Sequence, residues 1–281
     1  MKTFDITKAV NARYSVRNYM KQDLDEVILS EIKDYIEALT SPFGSEVHFH
    51  FLDQSMVVDG ERIGTYGVIK GASQYIGATI KEEPLALESL GYVFETLVLY
   101  LASIGIGTCW LGGTFNRQGF RNVLGLDAQT LFPIVTPIGY PADKKHVVEV
   151  MMRRLIKANQ RKPWETLFFQ NTFDTPLKKT GDVHFEHALE MVRLAPSASN
   201  KQPWRVVKEN DRWHFYEQIT PGYSDAFKYD IQRIDLGIAA AHFDLSLKQA
   251  GIKGTFNVLP KPDIATPNNT TYLFSWMPSG V

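Results

Sequence analysis

Leu90-Gly91-Tyr92-Val93-Phe94-Glu95-Thr96-Leu97-Val98-Leu99-Tyr100-Leu101-Ala102-Ser103, followed by Ile104-Gly105-Ile106-Gly107, governs how the rest of the chain is read. It contains most of the longest apolar stretch, Tyr92 to Leu111, which approaches bilayer-spanning length. Glu95, Thr96 and Ser103 interrupt it and a glycine cluster ends it, so it reads as a helix buried in a protein core. A second small-residue-rich helix, Leu236-Gly237-Ile238 to Ala250-Gly251-Ile252, can be laid over the first. Leu90-Gly91 matches Leu236-Gly237, Leu99 matches Leu245, Leu101 matches Leu247, and Gly105-Ile106 matches Gly251-Ile252. The loop Leu39-Thr40-Ser41-Pro42 also falls where Ala195-Pro196-Ser197-Ala198 falls, each between a helix and a strand. These matches describe a weak internal repeat; chance similarity between buried helices is the competing account. Two similar halves, residues 1–160 and 161–281, packed by long central helices would imitate a two-fold dimer within one chain.

The remaining elements follow from periodicity and breakers. A helix opens at Asp5 with Ile6, Ala9 and Val10 and stops near Arg13. Another starts at Leu24-Asp25-Glu26-Val27 and carries Ile28, Ile32, Ile36 and Leu39 at helical spacing until Thr40-Ser41-Pro42-Phe43-Gly44 breaks it. Val47 to Phe51 reads as a strand, and Gly67-Val68-Ile69-Lys70 as a weaker one. A polar helix covers Arg117 to Leu124, and Phe132 to Pro141 is a strand leaving through a proline turn. His184 to Leu194 is a helix with Phe185, Ala188, Leu189 and Val192 on one face; Arg205-Val206-Val207 begins a strand.

With 281 residues, 44% hydrophobic and 22% charged, the composition is that of an ordinary globular protein. The net charge of −1 provides no sequence-wide attraction to nucleic acid or an anionic membrane, so neither partner is expected. A single cysteine, Cys109, excludes an internal disulfide framework and suits a reducing compartment. Met1-Lys2-Thr3-Phe4-Asp5 has no apolar signal region, so a cytoplasmic location is the expectation.

Chemistry concentrates in a few segments. Leu194-Ala195-Pro196-Ser197-Ala198-Ser199-Asn200-Lys201-Gln202-Pro203-Trp204 is a proline-flanked loop with preset backbone geometry. Ser197, Ser199, Asn200 and Gln202 offer uncharged donors and acceptors and Trp204 a flat apolar wall, which suits a planar, heteroatom-rich ligand. Arg13-Tyr14-Ser15-Val16-Arg17 supplies two guanidinium forks and a hydroxyl, which fit a phosphate, although by themselves two solvated arginines near a helix end are the plainer account. Ser103 to Gly113 is glycine-rich but follows a helix, so it fails the dinucleotide fingerprint. It reads either as a helix C-cap or as backbone able to approach a flat ligand. Arg153, Arg154, Arg161 and Lys162 form a basic run, of which Arg161 is the candidate third phosphate arm. His48 with His50, and His184 with His187, lack a matching third ligand, so no metal site is expected. Cys109 has no evident base partner, and no Ser/His/Asp order or paired-carboxylate spacing stands out. No catalytic side chain is therefore expected.

Together these residues resemble the nitroreductase family of flavin enzymes. The resemblance rests on Arg-x-Ser-x-Arg with a following aromatic (Arg13, Ser15, Arg17, Tyr19) and Ala-Pro-Ser-x-x-Asn-x-Gln-Pro-Trp (Ala195 to Trp204). It continues through Gly-x-Gly-Thr-Cys-Trp-Leu-Gly-Gly (Gly105 to Gly113), Ile-Gly-Tyr-Pro-Ala-Asp-Lys (Ile138 to Lys144) and Arg-Lys-Pro-Trp-Glu (Arg161 to Glu165). In the family's usual order the proline loop follows the arginine motif by one helix. Here that place holds Thr40-Ser41-Pro42-Phe43-Gly44-Ser45, without the asparagine, glutamine and tryptophan, and the second half has no arginine motif.

Family members are homodimers whose FMN sites join the arginine motif of one subunit to the proline loop of the other. The resemblance therefore implies a fused pseudo-dimer of α+β type, with antiparallel or mixed sheets flanked by helices and one intact flavin site. It makes a monomer possible, because the two halves would mimic a dimer, and leaves further association open. It assigns Arg13, Ser15 and Arg161 to the FMN phosphate and Arg17 to the pyrimidine edge. Pro196, Ser197, Ser199 and Asn200 would line the ring and ribityl chain, with Gln202 reaching polar ring atoms. Backbone N–H groups of Cys109, Trp110, Leu111 and Gly112 would approach N5. The activity implied is an FMN-dependent oxidoreductase that takes hydride from NADH or NADPH and reduces a nitroaromatic, quinone or similar small acceptor. The alternative is a non-catalytic flavin or nucleotide binder on the same scaffold. Met56 to Glu61 and Thr220 to Tyr229 are candidate substrate-covering segments without a readable signature.

Overall fold

The computed structural model describes residues 2–58, 61–62, 64–143, 150–151, 154, 157 and 160–279. Lys144 and Arg153, named above, lie outside them, as do Asp59 and Gly60 of the first candidate covering segment. The chain divides into two compact units. The first comprises Met1–Ser41, Ser45–Ala86 and Val93–Ala158; the second comprises Pro42–Gly44, Leu87–Tyr92 and Asn159–Val281.

In the first unit, helix α1 (Ile6–Ala12) begins where the Asp5 carboxylate accepts the Lys8 N–H at 3.0 Å. Helix α2 (Glu26–Glu37) begins where Asp25 accepts the Ile28 N–H at 2.9 Å. Short polar side chains thus satisfy otherwise orphaned donors of each first turn. Four strands, β1 (His48–Asp53), β4 (Gln74–Lys81), β5 (Gly107–Thr108) and β6 (Thr130–Gly139), form an antiparallel sheet in the order β1-β4-β6-β5. Strands β2 (Val57–Val58) and β3 (Glu61–Arg62) make a separate two-stranded ribbon. Helix α4 (Arg117–Leu124) is capped by Asn116 and stops at the left-handed Gly125. Tyr19, Tyr75, Cys109, Phe115, Phe120 and Phe132 share one buried cluster.

The expected strand at Gly67–Lys70 is not one. Those residues turn, and Lys70 makes only an isolated bridge with Asn18. The strand is Gln74–Lys81, whose residues 75–80 are all buried. Burial on both faces removes the alternation by which a strand is recognised in sequence.

In the second unit, β7 (Phe168–Gln170), β8 (Trp204–Glu209), β9 (Arg212–Gln218), β10 (Gly254–Asn257) and β11 (Thr270–Pro278) form a mixed sheet ordered β10-β11-β9-β8-β7. Only β7 and β8 pair parallel. Helix α5 (Val183–Leu194) puts Phe185 in a stack with Trp213, centroids 4.9 Å apart. Helix α6 (Gln232–Gln249) is buried along nearly its whole length.

The opening turns of α3 (Ala86–Ser103), residues 87–92, also belong to this unit. They meet α6 backbone to backbone. A Cβ on Gly91 would lie 2.1 Å from the Ile234 carbonyl oxygen and 3.1 Å from Gly237 Cα; one on Gly237 would lie 2.1 Å from the Glu88 carbonyl oxygen. The two glycines are therefore the contact itself. Among the described residues, no helix is long and apolar enough to cross a membrane.

Candidate functional site

The arginine segment is woven into the first unit. Arg13 ends α1, its N–H donating to the Ala9 carbonyl. Ser15 bridges Thr108 in parallel, the Val16 N–H donates to the Thr108 carbonyl at 2.8 Å, and the Lys70 N–H donates to the Arg17 carbonyl at 2.9 Å. Gly107 permits this approach: a Cβ there would fall 2.9 Å from Val16 Cγ2. The arginine motif thus lies beside the glycine-rich turn.

Arg17 is 7% exposed. Its Nη1 donates to the Ser15 carbonyl at 3.4 Å, and its buried Nε has no hydrogen-bond partner. Among the described residues no carboxylate pairs with it. A desolvated guanidinium without a counter-charge is costly, and an anionic or acceptor-rich ligand would offset that cost.

Within the turn, alternate amides are consumed by β6. The Cys109 N–H donates to Thr136 Oγ1 at 2.9 Å and the Leu111 N–H to the Val135 carbonyl at 3.0 Å. Trp110 donates its indole N–H to buried Glu95 at 2.8 Å, and the Gly112 carbonyl accepts from Arg117. The Cys109 thiol is buried in the core.

The proline loop is built inside the second unit. Ser199, Asn200 and Gln202 all have left-handed backbones, with φ of 46°, 56° and 50°. Three such non-glycine residues so close together store strain that surrounding contacts must hold, a pattern that concentrates at ligand clamps. Asp235, buried on α6, accepts the Ala198 N–H with both oxygens, at 3.0 and 3.2 Å. Arg161 donates to the Leu194 carbonyl at the end of α5 and, at 3.2 Å, to Asn200 Oδ1; Asn200 Nδ2 donates to the Gln160 carbonyl at 2.9 Å.

Gln202 is consumed as scaffold. It is 3% exposed; its N–H donates to Ser197 Oγ, its Oε1 accepts the Lys162 N–H, and its Nε2 donates to Asn200. Its carbonyl accepts from Lys162 Nζ at 3.2 Å and Arg205 Nη1 at 3.0 Å. Each of its polar groups is thus engaged within the loop rather than left open for the ring contact expected of it. Trp204 is likewise no ligand wall: it is 0% exposed on β8, inside the core.

Sequence reasoning passed over Lys162, Arg205 and Asp235. Lys162 lies in the Arg161-to-Glu165 motif next to the candidate Arg161, while Arg205 and Asp235 join the loop only through the tertiary fold. Burial first, then Arg205 and Lys201, lowers the Lys162 pKa to about 8; burial lowers that of Arg205 to about 10. The base of the loop is thus cationic and partly desolvated.

An acidic cluster lies in the same unit, at the start of α6. Arg233 bonds Glu88 and stands 4.0 Å from Glu217, beside Asp230. Glu217 is 3% exposed, and its Oε1 has no partner. Burial first, then the Asp230 charge, pushes its carboxyl up to about 8 against the opposing pull of Arg233. Burial likewise raises Glu88.

Two other arrangements carry no chemistry. His214 bonds Ser275 at 2.7 Å and approaches Glu209 at 3.4 Å, but Ser275 is wholly buried within the sheet. His50 bonds Thr79 across β1 and β4 at 2.8 Å. Among the described residues, no group of three or more His, Cys, Asp or Glu side chains could hold a metal ion.

A protein-family model described as "Putative TM nitroreductase" matches residues 5–247. The chain belongs to this nitroreductase family. The putative nitroreductase of Thermotoga maritima shares its fold: 18% identity, TM-score 0.61, covering 99% of this chain and 95% of that one. A nitroreductase family protein of Clostridium novyi aligns over 51% of this chain and 89% of its own, at 18% identity and TM-score 0.41. An FMN-dependent nitroreductase of Clostridium difficile aligns over 50% of this chain and 89% of its own, at 16% identity and TM-score 0.40. No curated protein matches the chain. Nitroreductase membership makes the chain an oxidoreductase by family, with two α+β units whose sheets are flanked by helices.

Proposed function

We propose that the chain is an FMN-dependent NAD(P)H oxidoreductase that reduces nitroaromatic, quinone or similar small acceptors. The observation that carries this reading is Arg17, a buried guanidinium with an unpartnered Nε and no carboxylate beside it among the described residues. A cation at the pyrimidine edge of a flavin stabilises the negative charge that reduction places there. The strained proline loop over its cationic base gives independent support.

On this reading Arg13, Ser15 and Arg161 hold the phosphate, and Pro196, Ser197, Ser199 and Asn200 line the ring and ribityl chain. The N–H groups of Trp110 and Gly112, rather than those of Cys109 and Leu111, face the ligand, because β6 already holds the latter pair. Gln202 and Asp235 act one step back, by fixing the loop. Bound FMN would supply two-electron transfer between nicotinamide and acceptor. The side chains supply binding and electrostatics, which requires no catalytic triad. On the same reading the chain works as a monomer, with light scattering as the measurement.

Purified protein is expected to be yellow, with one FMN per chain. Arg17→Ala is expected to lower FMN affinity at least tenfold, since a buried charge-assisted contact contributes about 1.5–3 kcal/mol. Colourless wild-type protein that ignores added FMN would sink the proposal. Anaerobic addition of NADH and NADPH should bleach the flavin band; an unbleached band identifies a binder without turnover. Asp235→Asn is expected to weaken FMN binding about three- to tenfold by loosening the Ala198 anchor, a loss of about 1 kcal/mol in a net hydrogen bond. Equal affinities would show that this anchor does not preorganise the loop.

A further inference from the structure

The segment from Ile219 to Asp230, between β9 and α6, contains the candidate covering stretch for which the sequence offered no signature. It is fastened at both ends. The Ile219 N–H donates to the Asn269 carbonyl at 2.9 Å and the Thr220 N–H to Gln232 Oε1 at 2.9 Å. At the other end Asp230 Oδ1 accepts from Ser224 Oγ at 2.6 Å and from the Gln232 N–H at 3.0 Å. Between these anchors Gly222, at φ +77°, lets the Tyr223 N–H return to the Thr220 carbonyl at 3.1 Å. That turn delivers Tyr223 to the tip of the proline loop. Its hydroxyl donates to Ser199 Oγ at 2.9 Å, and Lys201 Nζ stands 5.5 Å from its ring centroid.

We infer that Tyr223 is a positioning residue that turns Ser199 into an outward hydrogen-bond donor, so the ligand presents an acceptor atom at that point. The inference rests on the flavin reading for the identity of the ligand, FMN, but not for the restraint on the loop.

Asp235 holds the loop at Ala198, and Arg161 with Gln202 holds it at Asn200. Ser199 lies between them, exposed, in left-handed geometry. Its side-chain hydrogen-bond partner among the described residues is the Tyr223 hydroxyl. Because the tyrosine O–H is the donor, the lone pairs of Ser199 Oγ receive it and the serine's own proton points elsewhere. A hydroxyl that already accepts is a stronger donor. Burial raises the Tyr223 pKa above its ordinary value, so the phenol keeps its proton throughout the neutral range. Carbonyl, ribityl or phosphate oxygens accept such a bond; a ligand N–H would not be served.

The test pairs a binding cycle with a ligand-free readout. FMN is titrated by fluorescence quenching into flavin-stripped full-length wild type, Tyr223→Phe, Ser199→Ala and the double variant. Each single change should raise Kd about three- to tenfold, the range set by one net hydrogen bond. The double variant should be no weaker than Ser199→Ala, because the tyrosine acts only through the serine. Losses that multiply, or a Tyr223→Phe protein that binds like wild type, overturn the inference. In parallel, amide hydrogen exchange on the ligand-free chains should rise at Asn200 and Lys201 in Tyr223→Phe and stay unchanged in the sheet. Unaltered exchange at both amides overturns it even if FMN does not bind. Absent FMN binding with raised exchange keeps the restraint and removes the flavin reading.

Discussion

Gly91→Ala and Gly237→Ala are each expected to destabilise the protein by more than about 3 kcal/mol, or to prevent soluble folding, because one methyl group has no room at the crossing. Each Cβ would stand 2.1 Å from a carbonyl oxygen, that of Ile234 for Gly91 and of Glu88 for Gly237. Both obstacles are backbone, so no side-chain rotation relieves them, and one helix must back away from the other. That separation would also disturb α6 at Asp235, which holds the proline loop. Gly105→Ala is the control. Its φ of +80° disfavours alanine, but nothing lies within 4 Å of the new carbon, so its cost is conformational and about 1 kcal/mol. Urea denaturation of the three variants decides the matter. If Gly91→Ala unfolds at the same midpoint as Gly105→Ala, the crossing is looser than its geometry requires.

The second large effect concerns pH. Glu217→Gln is expected to flatten the pH dependence of stability and to yield a protein more stable than wild type at pH 8.5. In the unfolded chain a glutamate loses its proton near about pH 4.3. In the folded protein burial and Asp230 hold the proton on until about 8. Between those limits the folded state binds the extra proton, so wild-type stability falls as pH rises, by up to about 1.4 kcal/mol per unit for one group. The loss is complete above the folded value and absent below the unfolded one. Glu88, also raised by burial, acts in the same direction and is left in place by the substitution. Lys162 counts with the opposite sign, mainly above pH 8, where the unfolded chain still holds its proton. Thermal melts at pH 5.5, 7 and 8.5 check the result. Parallel curves for wild type and Glu217→Gln would mean that Glu217 ionises normally.

The parts of this fold most legible in sequence were those whose causes are local. Asp5 and Asp25 announce α1 and α2 because a capping carboxylate and the N–H that donates to it lie three residues apart. The Leu-Gly pairs at residues 90–91 and 236–237 stand out in sequence because glycine is the one residue that such a close helix contact admits. Strand β4 was missed for the opposite reason, since burial on both faces erases alternation. The site was readable as a set of segments but not as a division of labour. Gln202 and Asn200 have the same functional groups in sequence, and only the fold shows Gln202 sealed by Lys162, Ser197 and Arg205. Tyr223 and Asp235 reach the proline loop from 24 and 37 residues away, distances over which sequence pattern carries no signal.

The left-handed backbones at Ser199 and Gln202 set two selective pressures against each other. Glycine at either position would remove the conformational penalty that an L-residue carries there. The same exchange would delete the Ser199 hydroxyl or unpick the amide web around Gln202. At Gln202 the buried amide web outweighs that relief, so glycine there loses stability as well as order. At Ser199, which is exposed, the relief and the lost hydroxyl are of similar size, so natural variation should admit glycine at Ser199 and exclude it at Gln202.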